Sequence, residues 1–148
     1  MQPIRLNLML NESVVGVVGI SQMSVRPGDT ALAHGSGDMA ILSASFFVTL
    51  MESACNSALA DLLTNGDSTV LNDLQFEVLH PVGIGTELQG AATCTAYSDG
   101  NLIFVCEIHD GQRMVAVGTM NRKLVDRVTY LAKSAALAMM SQQAPREN

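Results

Sequence analysis

One stretch constrains the fold more than any other: AHGSGDMAILSASFFVTLMESACNSALADLL, residues 33–63. A glycine-rich turn (Gly35, Gly37) leads through Ile41 and Leu42 into an apolar helix predicted over residues 45–63, closed by Asn65, Gly66 and Asp67. Phe47, Met51, Ala54, Ala58 and Leu62 recur at helical spacing and define its apolar face. A helix this apolar has to be covered by other elements. A single acid stands among these hydrophobes. At about 100° per residue, Glu52 falls on the margin of the apolar face, roughly 20 to 40° from Leu59 and Val48. A carboxylate there is partly desolvated, a setting that suits a base or nucleophile. The plain alternative is a side chain that reaches past the helix edge to water.

The flanking sequence supplies strands. Residues 4–10 and 14–25 precede the helix, separated by Asn11-Glu12, and Arg26-Pro27-Gly28-Asp29 forms a turn. After the helix come strands at residues 69–79, 86–97, 102–108 and 114–125. The first of these alternates through Val70, Asn72, Leu74, Phe76 and Val78. Ser98-Asp99-Gly100-Asn101 and His109-Asp110-Gly111-Gln112 are hairpin signals. Residues 128–140, rich in Ala, Leu and Met, predict a terminal helix that packs on the sheet or joins a larger oligomer. Strands, one long helix, a strand meander and a last helix make an α+β layout, with an antiparallel sheet wrapped around the central helix. The expectation is one domain over residues 1–148, its core at about 4–126.

Composition narrows the partners. A formal net charge of −6 argues against nucleic acid or an anionic membrane as a bulk electrostatic partner. The three cysteines (Cys55, Cys94, Cys106) have no metal-ligand spacing and no disulfide pattern, so buried free thiols in a reducing compartment are expected. No apolar run is long enough to span a bilayer and the N-terminus has no secretory pattern, which makes the cytoplasm the expected location.

Several strings resemble one known family: Val25, Asp29-Thr30-Ala31, Gly35-Ser36-Gly37-Asp38, Ile41-Leu42 and Leu50-Met51-Glu52, then Asp110-Gly111, Val117-Gly118-Thr119, Arg122 and Val125. They look like the fluoroacetyl-CoA thioesterase-like family of the hotdog fold, over roughly residues 14–130. The resemblance implies hydrolysis of acyl-CoA thioesters by a homodimer, without a metal, and with coenzyme A present only as part of the substrate. It also implies a site of Thr, Glu and His, with a glycine whose backbone helps hold the thioester oxygen. The family Glu falls on Glu52, but its Thr falls on Ala44, its His on Val78 and its glycine on Leu71. Ser43 or Ser45 is the nearest hydroxyl to the lost threonine, and His80 is two positions beyond Val78.

Glu52 is therefore the expected base or nucleophile, helped by Ser43, Ser45 and His80. The first turn of its helix offers N–H groups for a developing oxyanion. Asn72, beside Leu71, is a candidate donor to the thioester oxygen. Gly35, Gly37, Met39, Phe46 and Phe47 are candidate substrate-binding residues, the apolar ones suiting a small or medium acyl group. Arg122, with Lys123, is expected at a cleft rim where it meets coenzyme A phosphates. His34, Asp38 and His109 read as turn residues. The expected partner is an acyl-CoA or related small molecule, the assembly a homodimer or dimer of dimers. The rival reading is a non-catalytic acyl-CoA or small-ligand binding module, which the lost Thr, Gly and His favour. A hotdog hydratase ranks last, because no Asp-His pair adjoins the helix.

Overall fold

The computed structural model describes residues 14–143, so the strand expected at residues 4–10 lies outside the described residues. Strand β1 (Val18–Ser24) is followed by a single 3-10 turn and a one-turn helix α1 (Ala31–His34), where the sequence predicted only turns. The central helix α2 (Ala44–Leu59) comes next, then β2 (Asp67–Val78), β3 (Glu87–Ser98), β4 (Asn101–His109), β5 (Met114–Asp126) and helix α3 (Arg127–Gln143). The strands form one antiparallel sheet in the order β1-β3-β4-β5-β2. The β3–β4 turn places Asp99 and Gly100 at φ 49° and 82°. Asp-Gly suits those left-handed angles, which is why that hairpin was legible.

Alternation turns one face of the sheet toward α2. Leu88, Ala92, Cys94, Leu102, Phe104, Cys106, Ile108 and Met120 are buried against Phe47, Leu50, Met51, Ala54, Cys55 and Leu59 of the helix. The buried arc therefore includes Leu50, Cys55 and Leu59, whereas Ala58 and Leu62 are only half-buried. The three cysteines are free and buried. Cys55 and Cys106 approach to 4.0 Å. Their hydrogen bond, then burial, pushes the Cys55 thiol up and keeps it protonated, so it is no nucleophile.

Strand β1 makes the closest backbone approach. A Cβ on Gly19 would stand 1.9 Å from the Ala54 carbonyl oxygen and 2.3 Å from the Ala58 nitrogen. Ser21 Oγ donates to the Leu50 carbonyl at 2.7 Å. Because the opposing atoms are helix backbone, Gly19→Ala has to push α2 off the sheet. It is expected to cost about 3 kcal/mol or more, at the upper end of overpacking. Denaturant unfolding checks this, and a loss under 1 kcal/mol (about the size of an ordinary surface change) would contradict the packing.

Helix α3 leaves the end of β5 and does not lie back on its own sheet, contrary to one expectation from sequence. Its root is anchored: Arg127 donates from N to Gly66 O (2.9 Å), from Nε to Asn65 O (3.1 Å) and from Nη2 to Asp67 O (3.2 Å). Asp126 caps it by accepting from the Thr129 N–H at 2.9 Å, a bond that holds the Asp126 carboxyl below its ordinary value. Beyond this root every described side chain of α3 is exposed. No helix among the described residues is long and apolar enough to cross a membrane.

Candidate active site

Glu52 sits where its helical angle predicted, at the edge of α2, with its side chain about one-third exposed at 34%. What the sequence did not show is its partner. Arg122 of β5 is buried, 4% exposed, and its Nη1 donates to Glu52 Oε2 at 2.8 Å. The rest of the guanidinium is also occupied. Nε donates to Thr69 Oγ1 at 2.9 Å and Nη2 to Thr69 O at 3.0 Å, both on β2, while Nη1 also meets Met120 Sδ at 3.5 Å. Arg122 thus ties α2, β5 and β2 together at one point. Its donors are spent inside the protein, so it does not stand at a rim free to hold coenzyme A phosphates; that expectation is corrected. A charge-assisted bond to a carboxylate and a planar fork on Thr69 fix the direction of the Glu52 carboxylate more tightly than solvent could.

Thr69 faces inward because of a bulge. The β2–β5 register shifts between Leu71 and Asp73, leaving Asn72 as the extra residue. Thr69 pairs with Leu124, Leu71 with Arg122, then Leu74 with Met120. Alternation read without the bulge puts Val70 and Asn72 on the face of Leu74; the extra residue gives that face to Thr69 and Leu71 instead. Thr69 is buried and Asn72 exposed. The available sequence signal for Thr69 was its alternation with Leu71, which a strand extrapolated backwards from Leu74 conceals.

The other candidates gather at the N-terminal end of α2. Ser43 is the N-cap residue, buried, with Oγ 3.0 Å from Ser36 Oγ and 3.2 Å from Ser45 Oγ. Its hydroxyl makes no cap bond, so the first N–H groups of α2 have no side-chain acceptor from it. Phe46 stands edge-on to His34, ring centroids 4.9 Å apart. His80 lies in the same region: its backbone N–H donates to Val115 O, and two residues later Val82 O accepts from Leu42 N at 2.8 Å. The His80 side chain is exposed.

Seven residues separate Ser45 from Glu52, which puts them on one side of α2 but about 10 Å apart along its axis. Within one chain, therefore, the serines and Glu52 are two separate groups. Gly35, at φ 70°, is the C-cap of α1, its N–H accepted by the Ala31 and Leu32 carbonyls, and Gly37 packs on Ala31. Phe47 is 2% exposed and belongs to the core, so it does not line a cleft; Met39 is exposed. Leu71 and Val78, at the family's glycine and histidine positions, are exposed. Among the described residues, no three His, Cys, Asp or Glu gather as metal ligands.

The profile of the fluoroacetyl-CoA-specific thioesterase (FlK) family matches residues 25–128. This chain belongs to that family. Its fold is the hotdog fold, and solved structures agree. A Thermus thermophilus hypothetical protein of the thioesterase superfamily aligns with a TM-score of 0.80 at 14% identity, over 88% of this chain and 96% of its own. The fluoroacetyl-CoA thioesterase FlK aligns with a TM-score of 0.76 at 21% identity, over 88% and 97%. A hot-dog-like protein from Thermanaerovibrio acidaminovorans gives 0.74 at 17%, over 89% and 94%. No curated protein sequence matches the chain.

Proposed function

We propose that this chain is an acyl-CoA thioesterase in which Glu52, fixed by buried Arg122, activates water or attacks the thioester carbonyl. The observation that carries the reading is the 2.8 Å Glu52–Arg122 bond: a carboxylate on the family's helix, open on one side and braced on the other. Membership of a thioesterase family supports the reaction class. Structures of FlK variants hold acetyl-CoA, or fluoroacetate with CoA, which supports an acyl-CoA as ligand.

Hydrolysis needs an attacking oxygen and donors for the oxyanion within about 3 Å of one carbonyl. The first turn of α2 and Glu52 of the same chain are too far apart along the helix to share it. A second subunit then supplies the donors, which favours a homodimer with the thioester between subunits. In the attack by water, Glu52 takes the proton, the oxyanion collapses, and the C–S bond breaks to release coenzyme A thiolate and the acid. In the attack by Glu52, the C–S bond breaks to release coenzyme A thiolate as an acyl anhydride forms on the carboxylate, and water then cleaves the anhydride to give the acid and restore Glu52.

The binding-module reading keeps one specific support: Ala44, Leu71 and Val78 offer no hydroxyl, close backbone approach or imidazole where the family's site has them. Thiol release across a panel of short and medium acyl-CoAs separates the two. Steady turnover of at least one member is expected. Thermal stabilisation by an acyl-CoA without release of thiol would overturn hydrolysis in favour of binding.

A further inference from the structure

Between the C-terminal half of α2 and the start of β2 lies a cleft of about 380 Å³, within the usual range for small-molecule sites. It opens one helical turn beyond Glu52. At about 100° per residue Asn56 and Leu59 follow Glu52 on one side of α2, and both line the cleft. Thr69 lines it from β2, and the same residue holds Arg122. The cleft therefore continues directly from the Glu52–Arg122 pair. At its far end stands a cation held in place. Arg127 lines the cleft there and donates from Nε and Nη2 to the Asn65 and Asp67 carbonyls. Its Nη1 has no partner among the described residues, and its charge has no carboxylate within ion-pair distance. The Asp67 carboxylate accepts from Thr64 Oγ1 instead.

Nearer Glu52 the cleft offers uncharged polar groups. Thr69 is buried; its hydroxyl accepts from Arg122 Nε and still has a proton to give, which no described residue accepts. The Asn56 amide has no partner among the described residues either. On the other side of Glu52 the character reverses. Val48, one turn earlier on α2, and Leu74 and Phe76, on the inward face of β2, are half-buried and apolar. Glu52 thus stands between an apolar end and a polar end.

We propose that this cleft seats the pantetheine arm of coenzyme A, with Arg127 at the phosphates and the acyl group on the Val48 side of Glu52. The assignment rests on the thioesterase reading and gives the substrate a direction. An acyl-CoA is divided in the same sense about its thioester, with hydrocarbon on one side and amides, a hydroxyl and then phosphates on the other. The amide carbonyls of the arm are acceptors for the Thr69 hydroxyl and the Asn56 NH₂, and the Asn56 carbonyl accepts an amide N–H. The length also agrees. From Glu52 to Ala60, which lines the cleft, the helix rises about 12 Å. The arm from sulfur to phosphorus is about as long as four extended residues, roughly 14 Å, and spans that distance. Arg127 then does what sequence suggested for Arg122: it is a fixed guanidinium with donors left for phosphate.

Steady-state hydrolysis of one acyl group carried on coenzyme A and on pantetheine, which lacks the phosphates, tests the assignment. In the wild type KM is expected to be about ten-fold lower for the coenzyme A thioester, the scale of one exposed charge-assisted contact. Arg127→Gln should raise that KM to the pantetheine value with kcat held, and leave the pantetheine thioester unchanged. Arg127→Lys, which keeps the charge, should recover most of the loss. Asn56→Leu should raise KM several-fold for both carriers, since the amide contacts are common to both. Equal KM for the two carriers in the wild type would overturn the proposal, as would a coenzyme A KM unmoved by Arg127→Gln. So would an Asn56→Leu protein that gains affinity for longer acyl chains, because the acyl group would then occupy the cleft. If no thioester is hydrolysed, the reaction class fails but the cleft is still tested by calorimetry with coenzyme A and pantetheine. A ten-fold preference for coenzyme A that Arg127→Gln abolishes would uphold the cleft, and equal wild-type affinities would overturn it.

Discussion

Glu52→Gln is expected to lower kcat/KM for thioester hydrolysis by about 10² to 10⁴-fold, the range for removing a positioned base or nucleophile. The effect should fall on kcat, with KM changed little, because the substitution keeps the shape of the side chain and removes only its reactivity. The amide of this variant still offers Arg122 a carbonyl oxygen, so the fold should lose only about 1–2 kcal/mol, the scale of one weakened charge-assisted bond. Steady-state kinetics and a thermal midpoint on the same preparation check both halves. Full turnover by a folded Glu52→Gln protein would remove Glu52 from the chemistry.

The second large effect is at Arg122. Arg122→Met leaves Glu52 without its cation and leaves Thr69 Oγ1 without the donor it now accepts. Removing one partner of a buried ion pair costs about 3–5 kcal/mol. Glu52 is one-third exposed and can turn toward water, so a loss of about 2–3 kcal/mol is expected here. That same turn takes the carboxylate off line. A misplacement of about 1 Å costs on the order of 10²-fold in rate, and kcat should fall by that much with KM nearly constant. Arg122→Lys keeps the charge but loses the fork that grips Thr69, so it should restore stability more than rate. Thr69→Val removes the hydroxyl that accepts from Nε and leaves the Thr69 carbonyl in place; about 1 kcal/mol and a several-fold loss of kcat are expected. Denaturant unfolding with steady-state kinetics checks the series. An Arg122→Met protein with undiminished kcat would leave the pair a structural tie only.

Much of this architecture was legible in sequence because it rests on local patterns. The apolar face of α2 follows from spacing around Phe47, and the hairpins after β3 and β4 follow from Asp99-Gly100 and Asp110-Gly111. Glu52 was legible for the same reason, since its angle on the helix depends only on residue count. Arg122 was not. Its position at the end of an apolar strand suggests a solvated cation, and the counter-charge that draws it inside is 70 residues away in the chain. Thr69 was hidden by a single extra residue at Asn72, which inverts the sidedness of everything before it on β2. The distance from Ser45 to Glu52 was available from helical rise. The family resemblance placed both in one site, whereas seven residues of helical rise already set them about 10 Å apart as two groups within one chain. Helix α3 was legible as a helix, but nothing local told whether its arc faced its own sheet.

The most direct test of the Glu52–Arg122 unit is a double-mutant cycle on kcat/KM with Glu52→Gln, Arg122→Met and the two combined. If Arg122 acts only by holding Glu52, the double variant will be no slower than Glu52→Gln alone, a strong departure from additivity. Additive losses would mean that Arg122 serves the reaction independently, by touching substrate, and would contradict its assignment as the brace of Glu52.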